Sequence, residues 1–242
     1  MLKAAAGLGY RTMRSTDARI LWKFAYNFGY KGVRSVQRFK KRLKQGVTFP
    51  PFLYISITNS CNLRCQGCWV DVDKPQHLIS VDDMNRLINN AKQHGNSFFG
   101  ILGGEPFMHV DLPSMLEMTL KLGPASVLTN GTLLPNRMLD PISDIAHASP
   151  YSLEIRVSID GPSPETNDPI RGEGTFNRAM EGNRKLLDRW FLPIETATQV
   201  WAPEKDEEVR QAFVSRLQAL GYQNPRLKIL PSLRIGREAL RE

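Results

Sequence analysis

The chain has 242 residues, 41% hydrophobic and 23% charged, a balance that excludes collagen-like, disordered and disulfide-scaffold classes. It shows no apolar run near the roughly 18 residues of a membrane-spanning helix and no secretory signal pattern, so a cytoplasmic location is expected. The net charge of +8 is uneven: residues 1–46 hold 12 Lys and Arg against Asp17 (12 − 1 = +11), while the rest carries 20 − 23 = −3, so a basic partner surface belongs to the N-terminal segment.

In chain order, Ile20, Leu21, Phe24 and Phe28, then Val36, Phe39 and Leu43, recur at helical spacing. They are interleaved with Arg34, Arg38, Lys40, Lys41, Arg42 and Lys44. This predicts a basic amphipathic helical extension over 1–48, rich in aromatics between Trp22 and Tyr30. Such a helix can lie on an anionic membrane, contact RNA, or pack its apolar stripe on the body with its basic face in water.

From residue 49, β-type and helical runs alternate, which argues for βα units and a parallel sheet. Strands are expected at 52–58, 98–102, 126–129, 153–159, 194–200 and 227–230. A helix over 81–94 has Ser80 as its cap, Asp82 and Asp83 in its first turn and Gly95 as its stop. Further helices fit 113–122, 136–146, 176–190 and 203–220, the last with the acidic run 204–208 at its positive end. In the fourth strand Ile155, Val157 and Ile159 alternate with Glu154, Arg156, Ser158 and Asp160, so one face is polar. A doubly covered parallel sheet would read apolar on both faces. The expected fold is therefore an α/β partial (βα)6 TIM-like barrel over 49–236 with a polar interior, an edge strand with one wet face being the plainer alternative. Residues 237–242 begin a further, helix-like segment.

All three cysteines, Cys61, Cys65 and Cys68, form CxxxCxxC after the first strand, at the end where parallel α/β folds bind ligands. Three thiolates can each hold one iron of a four-iron cluster, leaving the fourth open. A zinc site completed by His77 or water is the competing possibility.

The segment CNLRCQGCW resembles the cluster loop of radical S-adenosylmethionine (radical SAM) enzymes. The resemblance continues through GGEP at 103–106, TNG at 129–131 and SIDG at 158–161, each after an expected strand. It implies a 4Fe–4S cluster on Cys61, Cys65 and Cys68, with S-adenosylmethionine chelating the open iron. Reductive cleavage would give a 5′-deoxyadenosyl radical that abstracts a substrate hydrogen. Gly103 and Gly104 would let backbone approach the methionine moiety, Glu105 would face its ammonium, and Pro106 would stiffen the strand exit. Asn130 would hydrogen-bond the cofactor or orient its loop. Ser158, ranked before Asp160, would reach a ribose or methionine polar group, and Arg171 a carboxylate of cofactor or substrate.

The resemblance further implies an electron donor such as flavodoxin or ferredoxin. A peptide or protein substrate is in keeping with the branch of the family that carries a cysteine-rich SPASM extension, although no cysteine follows Cys68; either one cluster suffices or a C-terminal domain is missing. Many family members place an aromatic residue before the third cysteine, whereas Gly67 stands here and Trp69 follows, so the adenine contacts are not assigned. His94, His109 and His147 read as structural, and no nucleic-acid partner is specified. The alternative from another class is a non-catalytic zinc or iron–sulfur module recruited to membrane or RNA by its basic arm.

Overall fold

A computed structural model of the chain describes residues 22–23 and 25–231. The expected helical positions Ile20, Leu21 and Phe24 and the segment 237–242 lie outside the described residues. Six strands form one parallel sheet: β1 (Phe52–Ser56), β2 (Phe98–Leu102), β3 (Ala125–Thr129), β4 (Leu153–Ser158), β5 (Ile194–Thr198) and β6 (Arg226–Leu230). Their spatial order is their chain order. Right-handed crossovers that never reverse direction place every connecting helix on the same face, and this makes a partial barrel rather than a doubly wound sheet.

A π-helical segment, Ala25–Lys31, leads into α1 (Gly32–Lys44). The crossover helices are α2 (Val81–Gln93), α3 (Leu112–Leu122), α4 (Asn136–Ala148), α5 (Pro164–Arg171), α6 (Thr175–Leu187) and α7 (Asp206–Ala219). Ser80 caps α2 by accepting from the Asp83 amide, which satisfies a donor the first turn leaves over. The acidic run opens α7, with Asp206, Glu207 and Glu208 in its first turn. Two helices stand between β4 and β5 where the sequence indicated one. The eight-residue α5 contains Pro164 and Pro169, which read as loop; Pro164 falls in the first turn, where no intrahelical donor is lost, and Ser163 and Thr166 complete a capping box.

The core lies between the sheet's outer face and the helices. Ile55, Phe99, Ile101, Val127, Ile155 and Val157 point outward and meet Met84 and Ile88 of α2, Met115 and Leu116 of α3, Leu139 and Ile142 of α4, and Phe213 of α7. Register assigns the opposite, inner face to Tyr54, Gly100, Ser126, Glu154, Arg156, Ser158, Thr196, Arg226 and Lys228. One outward position carries an ionisable group. Glu195 is fully buried and faces Asn183 of α6, with neither oxygen meeting hydrogen-bond geometry.

The helical extension packs at the amino ends of the strands. Lys31 Nζ donates to Tyr151 Oη at 2.8 Å, Lys23 Nζ to the Ala146 carbonyl at 2.9 Å, Ser35 meets Ser97, and Arg42 donates to the His94 carbonyl. It thus occupies the pole opposite the carboxyl-end loops. Among the described residues no helix is long and apolar enough to cross a membrane.

Candidate active site

The cysteine loop leaves the carboxyl end of β1 and is held from three sides. On the first, the backbone of residues 58–60 runs against the segment after β2: Gly104 N donates to Thr58 O at 2.7 Å and Glu105 N to Ser60 O at 2.8 Å. A Cβ on Gly103 would strike Thr58 O, and one on Gly104 would strike Ser60 O. The close approach these glycines permit is therefore that of the cysteine loop's own backbone.

On the second side, Asn130 Nδ2 donates to Asn62 Oδ1 at 2.9 Å and lies 3.8 Å from Cys61 Sγ, while Asn62 Nδ2 donates to Thr132 Oγ1 at 2.9 Å. Asn130 Oδ1 accepts from the amide and hydroxyl of Thr132, so the amide is fixed at both ends. On the third side, the carboxyl end of α5 receives the loop: Gln66 N donates to Ile170 O at 2.8 Å, Gln66 Nε2 to Pro169 O at 2.9 Å, and Cys65 Sγ lies 3.9 Å from Arg171 O. Gly67 has φ +69°, a left-handed conformation that an aromatic residue at this position would adopt only with strain. That accounts locally for the departure from an aromatic before Cys68. Trp69 is half exposed.

Glu105 is turned inward, away from the orientation expected of it. It is fully buried; Oε1 accepts from Phe107 N at 3.0 Å and Thr129 Oγ1 at 2.7 Å, and Oε2 from Asn130 N at 2.7 Å. The carboxylate thereby ties the turn after β2 to the turn after β3. Burial pushes its pKa up to about 7, with the three donors pulling the other way. Pro106 begins a short 3-10 turn, Pro106–Met108, and His109 links that turn to Ile79 O at 3.0 Å.

Asp160 is likewise committed within the protein. Its Oδ1 accepts from Thr198 N at 2.8 Å, and its Oδ2 pairs with Arg171 Nε at 2.8 Å. Ser158 ends β4 on the inner face, half-buried. Asn62, Gln66, Thr132 and α5 are site components that motif reading missed. Asn62 and Gln66 stand inside the cysteine motif, but their partners lie 68 and 103 residues away.

The three thiols are free and half-buried, and the ionisation of Cys61 and of Cys65 is opposed first by burial and then also by the neighbouring cysteines. All three thus lie within electrostatic reach of one another. Among the described residues no three Cys, His, Asp or Glu side chains converge to enclose a single metal ion. Thiolates on one tetrahedral zinc ion, at about 2.3 Å each, would sit roughly 3.8 Å apart; thiolates on different irons of a cube stand wider. The donor set fits three corners of a 4Fe–4S cluster. His77 is exposed, its backbone paired with Asn59.

Comparison with known proteins agrees with this geometry. The chain is 27% identical over 195 residues to a "Probable GTP 3′,8-cyclase" of Saccharolobus solfataricus, covering 78% of the chain and 60% of the relative. It is 31% identical over 136 residues to Fe-coproporphyrin III synthase of Methanosarcina barkeri, covering 54% and 33%. Among solved structures, Streptococcus suis SuiB bound to its precursor peptide SuiA aligns with TM-score 0.66 at 18% identity, over 85% of this chain and 44% of SuiB. The enzyme anSMEcpe with bound AdoMet aligns with TM-score 0.59 at 16% identity, over 75% and 51%. The chain spans at most about 60% of the length of these curated relatives. The profile of the radical SAM superfamily, whose enzymes use a 4Fe–4S cluster and S-adenosylmethionine, matches residues 55–213, or 213 − 55 + 1 = 159 of 242. This chain belongs to the radical SAM superfamily.

Proposed function

We propose that residues 49–236 form the cofactor-cleaving core of a radical SAM enzyme that acts on a peptide or protein, with residues 1–48 as an appended basic extension. The observation that carries this reading is the triply clamped loop with its three free thiols. When bound, the cluster and S-adenosylmethionine supply reductive cleavage to methionine and a 5′-deoxyadenosyl radical, with flavodoxin or ferredoxin as the electron source.

The chain's part is to hold and orient. Cys61, Cys65 and Cys68 would each take one iron, and the donor Asn130 Nδ2 beside Cys61 favours its thiolate. Glu105, Gly103 and Gly104 keep the loops in register, and Pro106 sets the exit from β2. Arg171, anchored by Asp160, would meet a carboxylate of cofactor or substrate, and Ser158 a hydroxyl. The polar inner face supports a peptide substrate, as does the fold shared with SuiB, a protein solved with its precursor peptide.

Anaerobically reconstituted protein given a strong reductant and S-adenosylmethionine is expected to form 5′-deoxyadenosine, and Cys65→Ala to form none while keeping its circular dichroism spectrum. Unchanged product from that variant, or zinc without iron and sulfide in the purified protein, overturns the reading.

The extension supports a second assignment, contact with an anionic membrane surface. Trp22, Tyr30, Val33, Val36 and Leu43 are exposed, beside the exposed cations Arg34, Lys40, Lys41 and Lys44, the pattern of an interfacial helix. Each cation near such a surface contributes about 1 kcal/mol, so the triple variant Lys40→Glu, Lys41→Glu, Lys44→Glu should lose at least about 100-fold in affinity for vesicles containing phosphatidylglycerol. Equal sedimentation of both proteins with the vesicles, or binding to RNA in their place, removes the assignment.

A further inference from the structure

The inner face of the sheet carries charge and unspent donors that the cysteine loop does not use. Register aligns Arg156 with Ile194 and Arg226 in one layer, and Ser158 with Thr196 and Lys228 in the next. Three cations thus share the inner face of β4, β5 and β6 with one carboxylate, Glu154. That carboxylate is spent: Oε2 accepts from Arg156 Nη2 at 3.1 Å and Oε1 from Arg226 Nη2 at 2.9 Å. Two positive charges remain in excess (3 − 1 = +2).

Hydrogen-bond supply on this face is also unbalanced. Arg156 Nε, Ser126 Oγ and Thr196 Oγ1 are buried and meet no partner among the described residues. Buried donors left unpaired cost about 1–3 kcal/mol each, and two of these, on Arg156 and Thr196, stand on adjacent strands, a pairing that needs an acceptor. Adjacent strands lie about 4.8 Å apart, so Thr196 and Lys228 are neighbours, with Arg156 one strand away on the diagonal. The side chains of Arg156 and Lys228 are long enough to converge on one oxyanion beside Thr196.

We propose that Arg156, Thr196 and Lys228 form a subsite for an oxyanion of the substrate, a carboxylate or a phosphate, with Arg226 adding field from below and Ile194 offering an apolar contact. The proposal deepens the enzymatic reading above and rests on it for the identity of the inner face as the substrate chamber. Arg156 stands two residues before Ser158, about 6.6 Å toward the amino end of β4. The oxyanion would therefore sit deeper than the cysteine loop, and the rest of the substrate would extend up toward the loop.

The test titrates cluster-loaded full-length protein, with S-adenosylmethionine present, with inorganic pyrophosphate and separately with tricarballylate, followed by calorimetry. Saturable binding of either probe is expected; preference for pyrophosphate marks a phosphate-bearing substrate and preference for tricarballylate a carboxylate-bearing one. Arg156→Gln should weaken the preferred probe about ten-fold or more, the loss of one charge-assisted contact. Lys228→Gln, at an exposed position that folding does not depend on, should do the same. Arg210→Gln, which removes one charge from the exposed side of α7, should leave the titration unchanged.

Three results overturn the subsite: no saturable binding to the wild type, equal binding by all three variants, or a loss of S-adenosylmethionine affinity in Arg156→Gln as large as the loss for the probe. The last would assign the arginine to the cofactor. Failure of the wild type to form 5′-deoxyadenosine would instead count against the radical chemistry, and the anion titration would still report on the subsite.

Discussion

The two faces of the sheet are built from alternating residues of the same six strands, yet they have opposite chemistry. The outer face presents Ile55, Phe99, Ile101, Val127, Ile155 and Val157 to five helices, α2, α3, α4, α6 and α7, and is almost wholly buried. The inner face presents Tyr54, Glu154, Arg156, Ser158 and Lys228, of which Tyr54 and Lys228 are exposed. One face therefore supplies most of the apolar burial that folds the chain, and the other carries the polar and charged groups. Function can vary on the inner face without touching the core, because a strand's period of two keeps the two sets of side chains apart.

The largest effect that would break this comparison is on stability. Leu116→Ala removes a fully buried outer-face partner and should cost about 3 kcal/mol in denaturant unfolding. Tyr54→Ala, at a half-exposed position of the inner face, should cost less than about 1 kcal/mol. Similar losses from both would mean that the inner face also carries the fold.

Next in size is the tie between the loops. Glu105→Ala strands the donors of Phe107, Thr129 and Asn130 in a buried site and should destabilise by about 2 kcal/mol, while slowing cofactor cleavage through the displaced Asn130 loop. Glu105→Gln keeps one accepting oxygen, for Phe107 N and Thr129 Oγ1, but turns an amide donor toward the Asn130 N–H, and should recover only part of both. Cleavage at the wild-type rate in Glu105→Ala would show that the tie does not position the site.

The smallest effect concerns the one charge on the outer face. Burial raises the pKa of Glu195 from 4.5 to about 8, so the folded chain holds a proton that the unfolded chain releases between those values. Its contribution to stability is therefore greatest at low pH, falls as pH rises from 4.5 to 8, and levels off above. Glu195→Gln should remove that slope and raise Tm at pH 9 by about 5 °C; an unchanged slope would show that the carboxyl titrates normally.

Much of this was legible in local sequence. The run FFGIL marks β2 at its observed bounds, Ser80 with Asp82 and Asp83 marks the start of α2, and the alternation in 153–159 separates the faces of β4. These features depend on neighbours within a few residues, where periodicity and capping act. The helix α5 escaped because its prolines read as loop, while its place beneath the cysteine loop depends on a partner about a hundred residues away.

By itself the sequence determined the βα alternation, the three sulfur donors and the order of the turns that follow the strands, because each is encoded by residue type and spacing. Only the tertiary structure decided that Glu105 points inward, that Gly103 and Gly104 make room for backbone, that Asn62 and Gln66 anchor the loop, and that Arg156, Thr196 and Lys228 share one face. Those outcomes depend on contacts between strands and loops distant in the chain. They exist only once the hydrophobic outer face has closed on its helices and fixed the register of the sheet.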